Sequence, residues 1–342
     1  MADQGDNNNF IIRYVYRGEE GEIIPRGATH IFMGEGVTFV RARAFQDHPN
    51  IVEVICHDRV ERIGEHAFCG CQSLRRVIMP GVKVVEEWAF QVCIALTDVE
   101  CGMLEIIKDG AFWDCISLSC INLSSVRIVE INVFSYTALT DVKFSSKLER
   151  IGGVAFGGCT SLERITIPLK DGLIGNDDDD DDIFIECNNL RHVDLVEGAL
   201  HETISALQLG EWRNDMNEEI DSINQILLNA HAGEYDFNGY NDYAGEKALV
   251  IRTWIRSVLG KIVRYQEAHN RLLNEAAATL QLPLPQDIVT NSVFPFLELP
   301  SYTFEVEEDG VEDDDSDMYA NGSYSEGEDS GMEVDNSDDE EE

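Results

Sequence analysis

Residues 149–168 read Glu149-Arg150-Ile151-Gly152-Gly153-Val154-Ala155-Phe156-Gly157-Gly158-Cys159-Thr160-Ser161-Leu162-Glu163-Arg164-Ile165-Thr166-Ile167-Pro168, and much of this stretch recurs along the chain. An Ala-Phe pair or a close relative returns as Ala44-Phe45, Ala67-Phe68, Ala89-Phe90, Ala111-Phe112, Val133-Phe134 and Ala155-Phe156, with Phe-to-Phe steps of 23, 22, 22, 22 and 22. Three residues past the Phe stand Cys71, Cys93, Cys115 and Cys159, with His48 and Thr137 as departures. Six past it stand Ile51, Leu74, Leu96, Leu118 and Leu162, while Leu139 sits one residue early. A fixed period of this length is the mark of a stacked array, whose units bury their apolar sides only against one another.

Each leucine opens a short run that is apolar at its first, fourth and sixth positions, as in Leu74-Arg75-Arg76-Val77-Ile78-Met79. That pattern predicts a short strand leaning one side on a core. A second apolar pair precedes the next Phe: Val60 and Ile63, Val82 and Val85, Leu104 and Ile107, Val126 and Val129, Leu148 and Ile151. Each unit therefore offers two extended segments and a turn. These residues resemble the BspA-type leucine-rich repeat family, whose units run from an Ile through Ala-Phe, Cys and Leu to a strand ending in Ile-Pro. The resemblance implies a leucine-rich-repeat solenoid over residues 37–197, mostly β with short parallel strands, entered through an N-terminal strand cap in residues 1–36. It also implies a binding surface with no catalytic residues in the repeat.

The next Phe in register is Phe184, a step of 28. The excess over 22 equals the length of the run Asp177 to Asp182, so the poly-Asp tract reads as an insertion in a surface loop, too charged to bury. It lacks the alternating ligands and the turn glycine of an EF-hand loop. Cys187, Leu190, Val193 and Leu195 then resume the repeat.

From about Gly198 the apolar period becomes helical. Trp212, Met216, Ile220, Ile223, Leu227 and Ala230 mark one helix, and Ile251, Ile255, Val258, Ile262, Tyr265, His269, Leu272 and Ala276 mark a second with a heptad-like, coiled-coil stripe. The linker from His231 to Gly245 is rich in Gly, Asn, Asp and Tyr, so residues 198–299 are expected to form a helical domain built on an antiparallel helical hairpin. Complementary charge favours the same pairing, with Arg252, Arg256, Lys261, Arg264 and Arg271 on the second helix facing Glu211, Asp215, Glu218, Glu219 and Asp221 on the first; contact of the basic helix with an acidic partner is the competing reading. Leu284-Pro285-Gln286-Asp287-Ile288-Val289 with Val293-Phe294-Pro295-Phe296-Leu297 resembles the core of an F-box over barely fifteen residues, and a short capping helix is the competing expectation.

Residues 300–342 read as a disordered acidic tail. From Glu305 to Glu342 there are 19 acidic residues and no Lys, Arg or His, nearly half of the net charge of −40. Ser323, Ser325, Ser330 and Ser337 each have Glu three residues downstream, the pattern that acid-directed kinases favour. A repeat array with such a tail also resembles, in layout only, the acidic leucine-rich nuclear phosphoproteins that engage histones. The negative charge argues against direct binding to nucleic acid or an anionic membrane, so a basic protein is the expected partner. With no leader-like amino terminus and no long apolar run, the sequence reads as cytoplasmic or nuclear.

No phosphate-cradling loop, nucleophile elbow or His-Glu-x-x-His is present, so neither catalysis nor a cofactor is expected. His66, Cys69 and Cys71 do not have zinc spacing, and Cys71 shares the repeated core position of the other cysteines. Binding is instead expected on the outward side of the strands, where alternate residues should align in rows. One row comprises Glu53, Arg76, Asp98, Cys120, Asp141, Arg164 and His192; the other comprises Ile55, Ile78, Glu100, Asn122, Lys143, Thr166 and Asp194. Ile55 and Ile78, expected to be exposed beside Arg75 and Arg76, have the mixed character of a protein interface. The reading is a non-catalytic protein-interaction scaffold, with an F-box-like degradation adaptor and a histone-binding chaperone as alternatives.

Overall fold

A computed structural model of the chain describes residues 11–174, 182–196, 204–207, 209–235, 241–243 and 246–280. Those residues form a succession of short parallel strands and tight turns, a β-solenoid, followed by two helices. One ladder of strands runs Arg13–Tyr16, His30–Met33, Glu53–Ile55, Arg76–Ile78 and Asp98–Glu100, and resumes as Asp141–Lys143, Arg164–Ile167 and His192–Leu195. A second ladder runs Phe39–Val40, Arg62–Ile63, Val84–Val85, Ile106–Ile107, Ile128–Val129 and Arg150–Ile151.

The repeated residues are the core. Phe45, Phe68, Phe90, Phe112, Phe134, Phe156 and Phe184 are buried and stack ring on ring, with centroids 4.8 to 5.8 Å apart. Each buried Phe contributes about 1.5–3 kcal/mol through removal from water. Beside the rings runs a second line: the thiols of Cys71, Cys93, Cys115, Cys159 and Cys187 donate to the carbonyls of Phe45, Phe68, Phe90, Phe134 and Phe156 at 3.0 to 3.2 Å. Cysteine recurs here because the site wants a small apolar atom that also satisfies a buried carbonyl. Thr137 stands at the same offset, but its hydroxyl donates to the carbonyl of its own turn's Phe134 at 2.8 Å.

The Ala-Phe turns also hydrogen-bond from rung to rung. The amides of Phe45, Phe68, Phe90 and Phe134 each donate at 2.8 Å to the Ala carbonyl of the following turn. The chain makes these turns by entering the left-handed region twice per unit, two residues before the Phe and two after it. Glycine takes this conformation freely, but β-branched Val92 (φ 58°) and Val154 (φ 53°) take it too, at about 1–3 kcal/mol each.

Asp182, expected with the rest of the poly-Asp run in a solvated loop, is buried instead. It stands two residues before Phe184, and its Oδ1 accepts the Phe184 amide at 3.0 Å, so it belongs to the turn and the inserted residues precede it. The remainder of the run lies outside the described residues. So do the F-box-like segment, the acidic tail and its four serines.

The helices α1 (Gly210–Leu227) and α2 (Lys247–Leu280) lie antiparallel: Trp212 stacks on Tyr265 at 5.1 Å, Lys261 pairs with Asp215 (3.0 Å) and Glu219 (2.8 Å), and the Trp254 indole donates to the Glu219 carbonyl at 2.9 Å. Between them lies a short antiparallel strand pair, Glu234–Tyr235 with Asn241–Tyr243, where an irregular linker is expected from composition. Two further differences appear on α2. Arg256 reaches Asp171 of the solenoid at 3.2 Å, not an acid of α1, and Leu272 is exposed.

The aromatic stack is covered at its start and the last strand at its finish. At the start Tyr16, buried, tilts its ring against Phe45 at 5.0 Å. At the finish α1 supplies the Asn224 side-chain oxygen to the Val193 amide at 3.0 Å, where a further strand would have bonded. Lys247, buried at the start of α2, donates its ammonium to the carbonyls of Cys187 and Leu190 at 2.8 Å. Burial pushes that ammonium's pKa down and the nearby Arg191 charge adds to the shift, while Cys187 and Asp182 oppose it. Such end-capping is what an open solenoid edge requires.

Candidate interaction surfaces

The outward residues of the first ladder stand in register. Arg13, His30, Glu53, Arg76 and Asp98 pair across successive strands, as do Val15, Phe32, Ile55, Ile78 and Glu100. After an interruption Asp141, Arg164 and His192 align, beside Lys143, Thr166 and Asp194. The fourteen row positions expected from the sequence thus divide into two groups of six, and the two that link them in sequence, Cys120 and Asn122, lie on no strand. Both are exposed, and only an isolated bridge from Leu123 to Phe144 crosses this point. The run Leu118-Ser119-Cys120-Ile121-Asn122-Leu123 buries its fourth residue, Ile121, only partly, and Asn122 turns its side chain onto the Ser124 amide at 3.0 Å. That local bond competes with the ladder.

The electrostatics of the first group centre on Arg76. Its guanidinium lies 3.0 Å from Asp98 and 3.4 Å from Glu53 and also bonds Glu100, so one cation faces three carboxylates. Arg75 is exposed beside it. In the second group Arg164 bonds Asp194, and Lys143 pairs with Asp141 at 3.2 Å. Ile55 and Ile78 are half-buried, not exposed as expected, because they belong to a longer apolar row with Val15 and Phe32 in which neighbours shield one another. Val15 and Phe32 escaped the sequence reading since they precede the first Ala-Phe pair; the alternation in His30-Ile31-Phe32-Met33 is the signal that would have found them.

Elsewhere, a shallow depression of about 440 Å³ on the second ladder is lined by Thr38, Phe39, Glu61, Arg62, Lys83 and Val84. Its charges are matched internally, Lys83 with Glu61 at 3.0 Å and Arg62 with Glu86 at 3.4 Å. Cys71 is buried, with its thiol pushed up to about 12 by desolvation, and the Cys69 thiol donates to Gln91 at 3.3 Å. Among the described residues no cluster of three or more His, Cys, Asp or Glu could hold a metal ion, and no helix is long and apolar enough to cross a membrane.

Comparison with known proteins agrees with this geometry. The model for the BspA-type leucine-rich repeat region matches six copies over residues 38–163 and 105–206. Through this region the chain belongs to the BspA-type leucine-rich repeat family. Leucine-rich repeat proteins generally act in protein interaction, and their solenoids are typically non-catalytic. Solved structures similar to this BspA-type chain include the T. pallidum leucine-rich repeat protein, at 22% identity over 54% of this chain and 86% of that one, TM-score 0.34. Others are a leucine-rich repeat protein from Bacteroides ovatus (20% identity, 50% and 61% covered, TM-score 0.23) and the pneumococcal vaccine antigen PcpA (13%, 53% and 71%, TM-score 0.28). No curated protein matches the BspA-type chain.

Proposed function

We propose that this BspA-type chain is a non-catalytic scaffold that recognises a protein through the outward side of its first strand ladder. The observation that carries the reading is the register of the apolar row Val15, Phe32, Ile55 and Ile78 beside the charged row Arg13, His30, Glu53, Arg76 and Asp98. An apolar strip edged by arginine and carboxylates is the composition of a protein interface core and its rim. The tail from Glu305 to Glu342, acidic and without a cation, tunes affinity toward basic partners.

Affinity capture from a cell extract, comparing the full chain, a truncation after Leu299 and the Ile55→Asp/Ile78→Asp double variant at low and high salt, tests this. Loss of the partner in the double variant, with capture by the parent chain persisting at high salt, is expected. Because both isoleucines are half-buried, the variant's circular dichroism is checked first. Capture that needs only the tail and vanishes with salt overturns the sheet face as the recognition surface.

A further inference from the structure

The Ala-Phe turns form a side of the coil distinct from both ladders, and three consecutive turns present aromatic rings on it. Trp88 and Trp113 meet nearly perpendicular, centroids 6.4 Å apart at 76°, and Trp113 meets Tyr136 at 6.0 Å and 88°. The two indoles are half-buried and Tyr136 is exposed. Glycine makes room for them: a Cβ at Gly110 would come within 2.1 Å of the Trp88 ring, and one at Gly158 within 2.5 Å of the Tyr136 ring. Ile116 and Ile131, both exposed, belong to the same run of turns.

Three carboxylates lie about this corner. The Trp88 amide donates to the Asp109 carbonyl at 2.9 Å, which sets Asp109 beside Trp88 on the next rung. Asp109 neighbours Glu130, whose carboxyl pKa is raised by burial and then by the Asp109 charge. Asp114 follows Trp113, and its amide donates to the Ser135 carbonyl next to Tyr136. Burial raises its carboxyl pKa as well. Among the described residues none of these three forms an ion pair; Lys108 nearby is already held by Glu86 at 3.0 Å and Glu87 at 3.2 Å. The first ladder is the opposite case, since Arg76, Lys143 and Arg164 there each have a carboxylate.

We propose that the corner formed by Trp88, Trp113 and Tyr136, with Asp109, Asp114 and Glu130 about it, binds an arginine- or lysine-bearing segment of a protein partner. Aromatic faces attract a cation through their quadrupole, and carboxylates outside any ion pair add Coulomb attraction that a neutral or acidic ligand would forfeit, although Asp109 also accepts the Ile131 amide at 3.1 Å. Arginine is the better occupant, because its planar guanidinium stacks on an indole while donating to a carboxylate.

The test is a titration of the full chain with an arginine-rich dodecapeptide, its lysine counterpart and its glutamate counterpart. It follows tryptophan fluorescence at 0.5 M NaCl, where attraction to the exposed acidic tail is screened. Saturable binding of the arginine peptide is expected, weaker binding of the lysine peptide, and none of the glutamate peptide. Trp88→Leu and Trp113→Leu each weaken the arginine peptide about tenfold. Asp114→Asn, which keeps size and shape, weakens it about threefold and keeps the idea refutable should a Trp variant fail to fold. The Ile55→Asp/Ile78→Asp variant binds the peptide normally, which separates this site from the sheet face. Unchanged affinity in Asp114→Asn together with a folded Trp113→Leu overturns the proposal, as does equal binding of the glutamate peptide.

Discussion

From Phe45 to Phe112 the solenoid repeats almost without variation, whereas from Leu118 to Leu195 it drifts. In the first stretch neighbouring Phe rings stack within 1 to 6° at 4.8 to 5.2 Å; from Phe112 to Phe184 the angles are 11 to 19° and the spacings 5.6 to 5.8 Å. The second stretch also contains the gap in the first ladder, Thr137 in place of a cysteine, and the poly-Asp insertion. The first stretch takes bonds from the residues that precede the repeat, His48 to Pro25 and Asn50 to Arg26, and the second takes them from the helical region: Val193 from Asn224, Glu186 from Ala232, and Cys187 and Leu190 from Lys247. In a one-dimensional array each unit is stabilised only by its neighbours, so a unit with an imperfect neighbour needs help from elsewhere. The helical hairpin supplies that help to the drifting end.

The sharpest break of this comparison is a matched pair of ring deletions. Phe90→Ala removes a ring clamped between two close, parallel neighbours and should cost about 4 kcal/mol in urea unfolding. Phe156→Ala, in the looser stack, should cost less, toward about 3 kcal/mol, because its surroundings collapse more easily. Equal losses would mean that ring spacing does not report how tightly a unit is held.

Next in size is Lys247→Met. The substitution keeps the apolar stem and removes the donor, leaving the carbonyls of Cys187 and Leu190 unsatisfied at about 2–3 kcal/mol. Hydrogen exchange should locate that loss in residues 162–196, with amides around Phe68 and Phe90 unaffected. Uniform acceleration along the solenoid would show that the array unfolds as one cooperative block.

How far the sequence reveals these features depends on whether they repeat. The Phe, Cys and Leu positions were legible because a 22-residue period multiplies each signal, and so were the outward rows, which follow from strand alternation once the leucine is placed. Asp182 was misread because six identical residues carry no internal mark of where the insertion ends and the turn begins. The ladder gap was invisible because Ile121 satisfies the apolar pattern while Asn122 diverts the backbone. Lys247 and Asn224 had no signal at all: each acts on a residue about thirty or more positions away, and nothing local in a helical stripe marks a side chain as the end cap of a β-solenoid. The Trp88, Trp113 and Tyr136 corner was missed for a related reason, since the three occupy different offsets from their Phe and converge only when the turns stack.

Asn224→Ala sharpens the same comparison more gently. The Val193 amide would lose its acceptor at a partly covered edge, so a loss of about 1 kcal/mol is expected, confined to the last strand. Exchange of the Val193 amide should rise while that of Ile165, one strand inward, changes little.

The smallest effect concerns the carboxylates of the turn side and carries a pH signature. Glu130 has a raised pKa in the folded protein, from burial and from Asp109, relative to a usual value of 4.5. The folded state therefore holds a proton that the unfolded chain has already released, and stability falls as pH rises from 4.5 through the folded pKa. Above that window the whole penalty is present; below 4.5 both states are protonated and it is absent. Glu130→Gln should accordingly give a small rise in Tm at pH 7 that shrinks as pH is lowered and vanishes near pH 4. If the rise persists undiminished at pH 4, the gain comes from packing, and Glu130 does not contribute the charge that the turn side would offer to a cationic partner.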